Sequence, residues 1–232
     1  MGKNTWRDEY EWPLERTEWT KFYLSSNGSA ADDGGSLSTE IKTIDQASDS
    51  FIYDPKDPVP SIGSQYQTFD FCGPRDRSHI QLRPDVLTFT TDVLTEDLEI
   101  TGPISATVWA SSDAIDTDFT ATLTDLEPDG KAIALCEGIV RARFRDGTEN
   151  PQMIIPGKIY KFEIDMWNTS NSFNKGHRIR IEISSSNFPR YNRNLNSGNP
   201  IASDTDITIA NQTVYHGSKY PSHINLPLIP AR

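Results

Sequence analysis

The chain has 232 residues, with 22 basic against 33 acidic side chains and a formal net charge of −11 at pH 7. Neutralising phosphates requires a basic face, so this balance argues against a nucleic-acid partner. The length fits one large domain, and no stretch approaches the ~18 apolar residues that span a bilayer, so no membrane partner is expected.

The chain opens on Met1-Gly2-Lys3-Asn4-Thr5-Trp6-Arg7, which lacks the charged-then-apolar pattern of a signal peptide. We therefore expect a cytoplasmic protein. The two cysteines, Cys72 and Cys136, are too few for a disulfide framework, and neither has a nearby cysteine with which to bind zinc. No cofactor motif is found, so no cofactor is expected.

The first sixty residues predict an extended, loop-rich segment that wraps over a single domain, with the core in residues 61–232. Residues 27–38 are rich in Ser, Gly and Asp, and residues 48–60 are polar and punctuated by proline. Three tryptophans, Trp6, Trp12 and Trp19, fall in the first nineteen positions. This opening is too aromatic for a free tail, so it must pack on the domain or on a missing partner.

The rest of the chain alternates apolar and polar residues, most clearly over residues 104–111, 160–166 and 178–184. Alternation with period two is typical of strands that have one core face and one wet face. Residues 127–130, Glu-Pro-Asp-Gly, predict a hairpin turn. The pattern predicts an all-β, antiparallel sandwich of the jelly-roll, galactose-binding-domain-like kind. Further strands are predicted at residues 86–91, 119–126, 132–144, 207–214 and 224–228.

The three carboxylates of Asp113, Asp116 and Asp118 allow two interpretations. Oxygen ligands could hold a structural Ca²⁺, but the twelve-residue loop pattern of a dedicated calcium site is missing, so no metal site is predicted. The favoured interpretation is a structural ion pair in which Asp116 or Asp118 binds an arginine and joins two loops. Arg190 and Arg193 are the predicted partners, since they follow a strand end.

No catalytic residue is predicted from the motifs. The Gly-x-Ser-x-Gly elbow of α/β-hydrolases is absent, and the nearest sequence, residues 34–38, lies in a predicted loop. None of the histidines has a neighbour at metal-ligand spacing. Trp109 and Trp167 are candidates for an exposed platform that would bind carbohydrate, although Trp109 could equally cover a loop or face a partner domain.

These motifs, taken together, resemble the C-terminal domain of the cocaine esterase, X-Pro dipeptidyl-peptidase and α-amino-acid ester hydrolase family of serine hydrolases. Characteristic segments are Glu11-Trp12-Pro13, Gly176-His177-Arg178-Ile179-Arg180 and Ser184-Ser185-Ser186-Asn187-Phe188-Pro189. The other matching segments follow in the family's order, at residues 1–7, 22–24, 53–60, 73–76, 83–87, 98–103, 116–120, 125–130, 138–143 and 221–223.

The resemblance implies three domains: an α/β-hydrolase domain, a helical cap and a jelly roll. The family's triad lies upstream of the opening Met-Gly segment, so the chain, as an excised domain or a truncated reading frame, lacks it. The expected role is a non-catalytic domain of a hydrolase of esters or X-Pro peptides, which packs on the missing hydrolase and cap domains and shapes the cleft. The alternative is a stand-alone carbohydrate- or ligand-binding module.

The resemblance also implies particular contacts. Trp6, Trp12 and Pro13 come first after the junction and are expected to touch the missing domains, with self-association as a consequence in isolation. The loop of residues 65–72 resembles one that supplies apolar wall residues to the family's pocket. Tyr66, Phe69 and Phe71 fit that role, with plain core packing as the alternative.

Overall fold

The computed structural model describes residues 1–43, 47–65, 72–200 and 203–230. The predicted pocket-wall residues Tyr66, Phe69 and Phe71 lie outside the described residues. Short 3-10 turns occur at Ala30–Asp32, Ile80–Leu82 and Ala142–Phe144. The strands are β1 (Glu18–Ser25), β2 (Gly35–Ser38), β3 (Ala47–Tyr53), β4 (Leu87–Thr90), β5 (Leu98–Ser112), β6 (Asp118–Leu126), β7 (Ala132–Arg141), β8 (Tyr160–Phe173), β9 (Arg178–Ser184), β10 (Ala210–His216) and β11 (His223–Ile229).

The strands hydrogen-bond in the order β3-β10-β5-β11-β1-β2-β4-β9-β6-β7, and β8 pairs with the other edge of β5. All pairs are antiparallel except β2 with β4. The short β2 links a first layer (β3, β10, β5, β11, β1 and β8) to a second layer (β4, β9, β6 and β7). The layers face each other, since Phe119 of β6 and Phe162 of β8 stack with ring centroids 4.7 Å apart. The all-β sandwich prediction is confirmed.

The core follows the predicted alternation. Phe162, Ile164 and Met166 of β8 are fully buried, while the residues between them are exposed. In β9, Ile179, Ile181 and Ile183 point into the core, but Arg180 and Glu182 between them are buried as well, on the other face of the strand. Each large apolar side chain buried in this manner contributes about 1.5–3 kcal/mol of transfer free energy.

The predicted hairpin turn joins β6 to β7. The Gly130 N–H donates to the Glu127 carbonyl at 2.9 Å, and the Glu127 N–H donates to Lys131 at 2.8 Å. Gly130 has φ of +91°, which explains why glycine follows the Pro-Asp pair there. The turn thus fixes which residues of β6 and β7 stand opposite each other next to it, from Thr124 with Ala134 to Leu126 with Ala132.

The first sixty residues were expected to be extended and loop-rich, and they also supply three strands of the sheet, β1, β2 and β3. In β1, Phe22 and Leu24 point into the core, while Trp19 points outward. The alternation of apolar and polar residues does not predict strand β3, because one of its inward-facing residues, Asp49, is a carboxylate. Asp49 is 2% exposed and binds His216 of the neighbouring β10.

The segment between β3 and β4 covers the outer face of the second layer. Val59, Ile80 and Val86 of this segment form a small core of their own. Arg77 reaches from it to Glu182 of β9, and both side chains are almost completely buried. The outer face of the first layer is therefore the more open side of the sandwich. No helix in the described ranges is long and apolar enough to cross a membrane.

Candidate functional site

The N-terminal segment, residues 1–17, is tied to the start of β5 and the end of β8. The Met1 amino group donates to the Ser170 carbonyl at 2.8 Å, and the Ser172 N–H donates to the Met1 carbonyl at 3.2 Å. Gly2 has φ of +72°, and a Cβ there would overlap the Ser172 carbonyl oxygen. Glycine is required at this approach of two backbones.

A bidentate ion pair holds the next part of this segment. The Arg7 guanidinium donates to the two carboxylate oxygens of Glu99 at 3.1 and 2.6 Å. This bond lowers the pKa of the Glu99 carboxyl against the opposing effect of burial. Glu9 in turn pairs with both Arg7 and Arg16. Such charge-assisted pairs fix the path of the backbone above β5.

The aromatic side chains of this segment stand in solvent. Trp6 and Tyr10 are fully exposed, and Trp12 is 55% exposed, although Leu14 close by is buried. Pro13 is exposed as well. Rings of this size normally bury most of their surface, so this arrangement is typical of a surface that another protein part covers. The contact itself stays a prediction.

A second group of apolar side chains crosses the outer face of the first layer at the same end. Trp19 of β1 pairs with Pro227 of β11. A Cβ on Gly102 of β5 would lie 2.8 Å from the Pro227 side chain and 3.9 Å from the Trp19 ring. Trp167 of β8 follows, 58% exposed and with φ of +66° beside a bulge opposite Pro103. We call Trp19, Pro227, Pro103 and Trp167 the transverse row.

A groove of about 430 Å³ lies beside the transverse row. Trp19 and Pro103 contribute apolar surface to its lining, and Glu163 and Asp165 line it as well. The Asp165 carboxylate accepts a hydrogen bond from the backbone N–H of Trp167 at 2.8 Å, which stabilises the positive φ of that tryptophan. The groove gives the surface a concave shape into which a protruding side chain would fit.

Trp109 does not form part of the open surface. Its ring packs on Tyr220 with centroids 5.5 Å apart, and Tyr220 packs on Tyr215 at the same distance. All three rings are half-buried. Of the two interpretations left open for Trp109, the structure supports the covering of a loop, here the turn between β10 and β11.

The comparisons with known proteins agree with this geometry. A family model described as the X-Pro dipeptidyl-peptidase C-terminal non-catalytic domain matches residues 1–225. The chain belongs to this family. It is also 49% identical over 235 residues to the cocaine esterase of Rhodococcus sp. (strain MB1 Bresler), in an alignment that covers 99% of this chain and 41% of that protein.

Two solved structures share the fold closely. An aminopeptidase from a marine sediment archaeon of the Thaumarchaeota superposes with a TM-score of 0.88 at 28% identity, covering 99% of this chain and 39% of that one. An α-amino acid ester hydrolase gives a TM-score of 0.86 at 28% identity, covering 98% and 40%. This member of the C-terminal domain family therefore spans about two fifths of the length of these relatives.

The domain contains a serine, an aspartate and a histidine in contact, but in the wrong order for acyl transfer. The Ser26 hydroxyl donates to the Asp49 carboxylate at 2.7 Å, and Nε2 of His216 lies 2.8 Å from the same carboxylate. In a catalytic triad the histidine stands between the other two and takes the serine proton. Here the aspartate stands between them, and all three side chains are buried. This arrangement stabilises the fold.

The Asp49 contacts predict a pH dependence of stability. Burial raises the pKa of the Asp49 carboxyl, but hydrogen bonds from His216, Ser26 and the Ala30 N–H outweigh it and hold that pKa below its usual value. A lowered folded-state pKa gives stability that is present above the unfolded pKa, about 3.9, and is lost as the pH falls. The unfolding free energy lost in Asp49→Asn should be largest above about pH 5 and shrink towards pH 3 in urea melts. A loss that stays constant from pH 7 to pH 3 would contradict this.

Both carboxylates of the predicted ion pair are buried and paired with arginine. Asp116 accepts from Arg143 at 2.8 Å, and Asp118 accepts from Arg141 at 2.7 Å. The side-chain amide of Asn194 donates to both carboxylates, at 2.8 and 2.9 Å. Burial raises the pKa of the Asp118 carboxyl, while the bonds from Arg141 and Asn194 oppose this shift.

The partner arginines differ from the expected ones. Arg190 binds Glu137 at 2.9 Å, and Arg193 donates to the Pro55 carbonyl at 2.9 Å. Arg141 is the partner of Asp118 because the two residues stand directly opposite each other in the β6–β7 ladder. The expected segment does reach the site, through Asn194 instead of an arginine. Within the described ranges, no group of three or more His, Cys, Asp or Glu side chains is placed to hold a metal ion.

Proposed function

We propose that this domain packs on the α/β-hydrolase and cap portions of a serine hydrolase of esters or X-Pro peptides, and helps to shape the active-site cleft. The observation that carries the proposal is the N-terminal segment, whose Trp6, Tyr10 and Trp12 rings stand in solvent while its backbone is anchored. The family's description as a C-terminal non-catalytic domain supports it, because the partner portions then precede this segment.

The proposed contact surface joins this segment to the transverse row. The hydroxyl oxygens of Thr101 in β5 and Ser170 in β8 lie 2.9 Å apart, and the Met1 amino group binds the carbonyl of the same Ser170. Trp19 and Trp167 stand at the same end of the sandwich, since the Trp19 ring lies over Gly102 and Trp167 lies in the bulge next to the pair of Pro103 and Asn168. Interfaces between domains of one chain typically bury roughly 600–1,500 Å², which a surface with several exposed large rings can supply.

In isolation this surface should cause self-association. Sedimentation velocity of the purified chain should show a dimer whose fraction rises with concentration, because apolar rings without a partner pair with each other. The double variant Trp6→Ser, Trp12→Ser should remain monomeric over the same range. Ile52→Ser is the matched control, since Ile52 is 61% exposed on the distant β3 and should leave the dimer unchanged. Equal dimer fractions in all three proteins would argue against an aromatic interface.

The chain on its own should be inactive. The elbow motif is absent from the sequence, and the Ser26 hydroxyl donates a hydrogen bond to Asp49 instead of to a histidine. We expect no hydrolysis of activated esters or X-Pro arylamides above the buffer rate. Labelling with a serine-directed fluorophosphonate should stay far below one probe per chain. Stoichiometric labelling would show that the chain carries a nucleophile of its own.

The second candidate function is a stand-alone carbohydrate-binding module. The groove beside Trp19, with carboxylates from Glu163 and Asp165, favours it, because sugars stack on aromatic rings and donate hydroxyl hydrogen bonds. Titration with a panel of neutral oligosaccharides, followed by tryptophan fluorescence, separates the two candidates. Saturable binding that Trp19→Ala abolishes would favour the module; no change in fluorescence favours the interface.

A further inference from the structure

A larger cavity lies on the other side of the molecule, on the second layer. It has a volume of about 680 Å³ and opens between the β6–β7 turn, the β8–β9 turn and the 3-10 turn at Ile80–Leu82. None of its lining residues belongs to the N-terminal segment or the transverse row. The cavity is therefore separate from the surface proposed to contact the hydrolase portion.

The polar and charged side chains on the floor of the cavity already have hydrogen-bond or ion-pair partners. Arg180 donates to Thr90 and to Gln81, both at 2.7 Å, and pairs with Asp33 at 2.6 Å. The remaining amide of Gln81 donates to Glu182 at 2.8 Å. These groups hold one another, so they form a fixed base with no spare charge for a ligand.

The walls carry charged groups that have no such partners. Arg178 stands opposite Leu126 in the β6–β9 ladder, so the position facing it offers no carboxylate. Within the described ranges, the guanidinium of Arg178 and the carboxylate of Glu127 make no hydrogen bond or ion pair. Glu127 directly follows Leu126 in the chain and lines the same cavity as Arg178.

Exposed apolar side chains complete the cavity. Leu82 is 84% exposed and Val93 is 47% exposed, and both line it together with Pro128. Burying these surfaces under a ligand would favour binding, because it removes apolar area from water. The cavity thus offers one guanidinium, one carboxylate and an apolar wall.

We propose that this cavity binds a zwitterion with an apolar body, of the size of an amino acid or a dipeptide. Arg178 receives the carboxylate through its two parallel N–H groups, the geometry that makes arginine selective for carboxylates. Glu127 receives the ammonium group. The apolar body packs against Leu82 and Val93, which a purely ionic ligand would leave in water. His79, which also lines the cavity, lies outside this set of contacts.

The test uses the full chain and leucyl-leucine as the probe, with isothermal titration calorimetry as the readout. Two modified probes separate the charges: the C-terminal amide lacks the carboxylate, and the N-acetyl form lacks the ammonium group. Hydrogen bonds between charged groups are stronger than those between neutral groups. The loss of either the carboxylate or the ammonium group should therefore weaken binding about tenfold or more. Glycyl-glycine keeps both charges without the apolar body and should also bind more weakly.

The protein variants test the same contacts from the other side. Arg178→Gln should weaken binding of leucyl-leucine about tenfold or more and leave its affinity insensitive to amidation. Glu127→Gln should do the same for acetylation. Arg75→Gln, an exposed arginine outside the cavity, is the matched control and should bind as the wild type does. Equal affinities for the amide and the free acid, an unaffected Arg178→Gln, or no saturable heat up to about 10 mM would overturn the proposal.

Discussion

Replacing Asp116 by asparagine should lower the free energy of unfolding by about 3–5 kcal/mol, the usual cost of breaking a buried ion pair by removing one partner. The Asp116 carboxylate is completely buried and accepts three hydrogen bonds, from the backbone and guanidinium of Arg143 and from Asn194. Asparagine keeps one acceptor oxygen but turns an NH₂ group towards a second donor. Arg143 is then left without a counter-charge in the interior.

Urea melts of wild type and Asp116→Asn measure this effect. Asp113→Asn is the matched control, because the exposed Asp113 makes a comparable pair of bonds to Asn211 and should cost less than about 1 kcal/mol. A loss below about 1 kcal/mol in Asp116→Asn, together with a strong rise of the wild-type melting temperature in calcium, would instead support a structural metal at residues 113–118.

The second large effect concerns Arg77, the largest fully buried side chain among the described residues. Its guanidinium binds Glu182 at 2.8 Å and the Ile62 carbonyl at 3.0 Å, and so attaches the segment between β3 and β4 to the second layer. Arg77→Met should cost about 3–5 kcal/mol, because the Glu182 carboxylate stays buried with Gln81 as its remaining side-chain donor.

A double-mutant cycle separates the pair from its two members. Removing both charges in Arg77→Met, Glu182→Leu should cost clearly less than the sum of the single losses, because an apolar pair needs no compensation. Lys131→Met, which breaks an exposed pair with Asp129, should change stability by less than about 1 kcal/mol. If the double variant loses the full sum of the single losses, the two side chains are not coupled and the interpretation of this contact is wrong.

The sequence predicted those parts of the fold that depend on neighbouring residues. Alternation along residues 160–166 and 178–184 is a local signal, and these segments lie within β8 and β9. The turn at residues 127–130 is local as well. Strand β3 was missed because its buried Asp49 interrupts the apolar pattern. That carboxylate is stabilised by His216, 167 positions further along the chain, which no local pattern reveals.

The ion-pair partners show the same limit. Counting back from the turn at residues 127–130 predicts the opposite residue for each position of β6, but a bulge between Leu123 and Thr124 shifts the ladder by one. The shift brings Arg141, rather than Val140, opposite Asp118. Bulges depend on packing across the sheet, so no local sequence pattern predicts this one. The position of Trp6 above β5 likewise depends on the ion pair between its neighbour Arg7 and the distant Glu99.

We propose that the hydrolase portion of a longer polypeptide covers the N-terminal aromatic surface. Hydroxyl-radical footprinting can compare the chain alone with that longer polypeptide, with Met153 as an exposed control near the far end of β5. Oxidation of Trp6, Trp12 and Trp167 should fall strongly in the longer polypeptide, while Met153 should be oxidised equally in both. Equal oxidation of the three tryptophans in both forms would show that the hydrolase portion does not cover this surface.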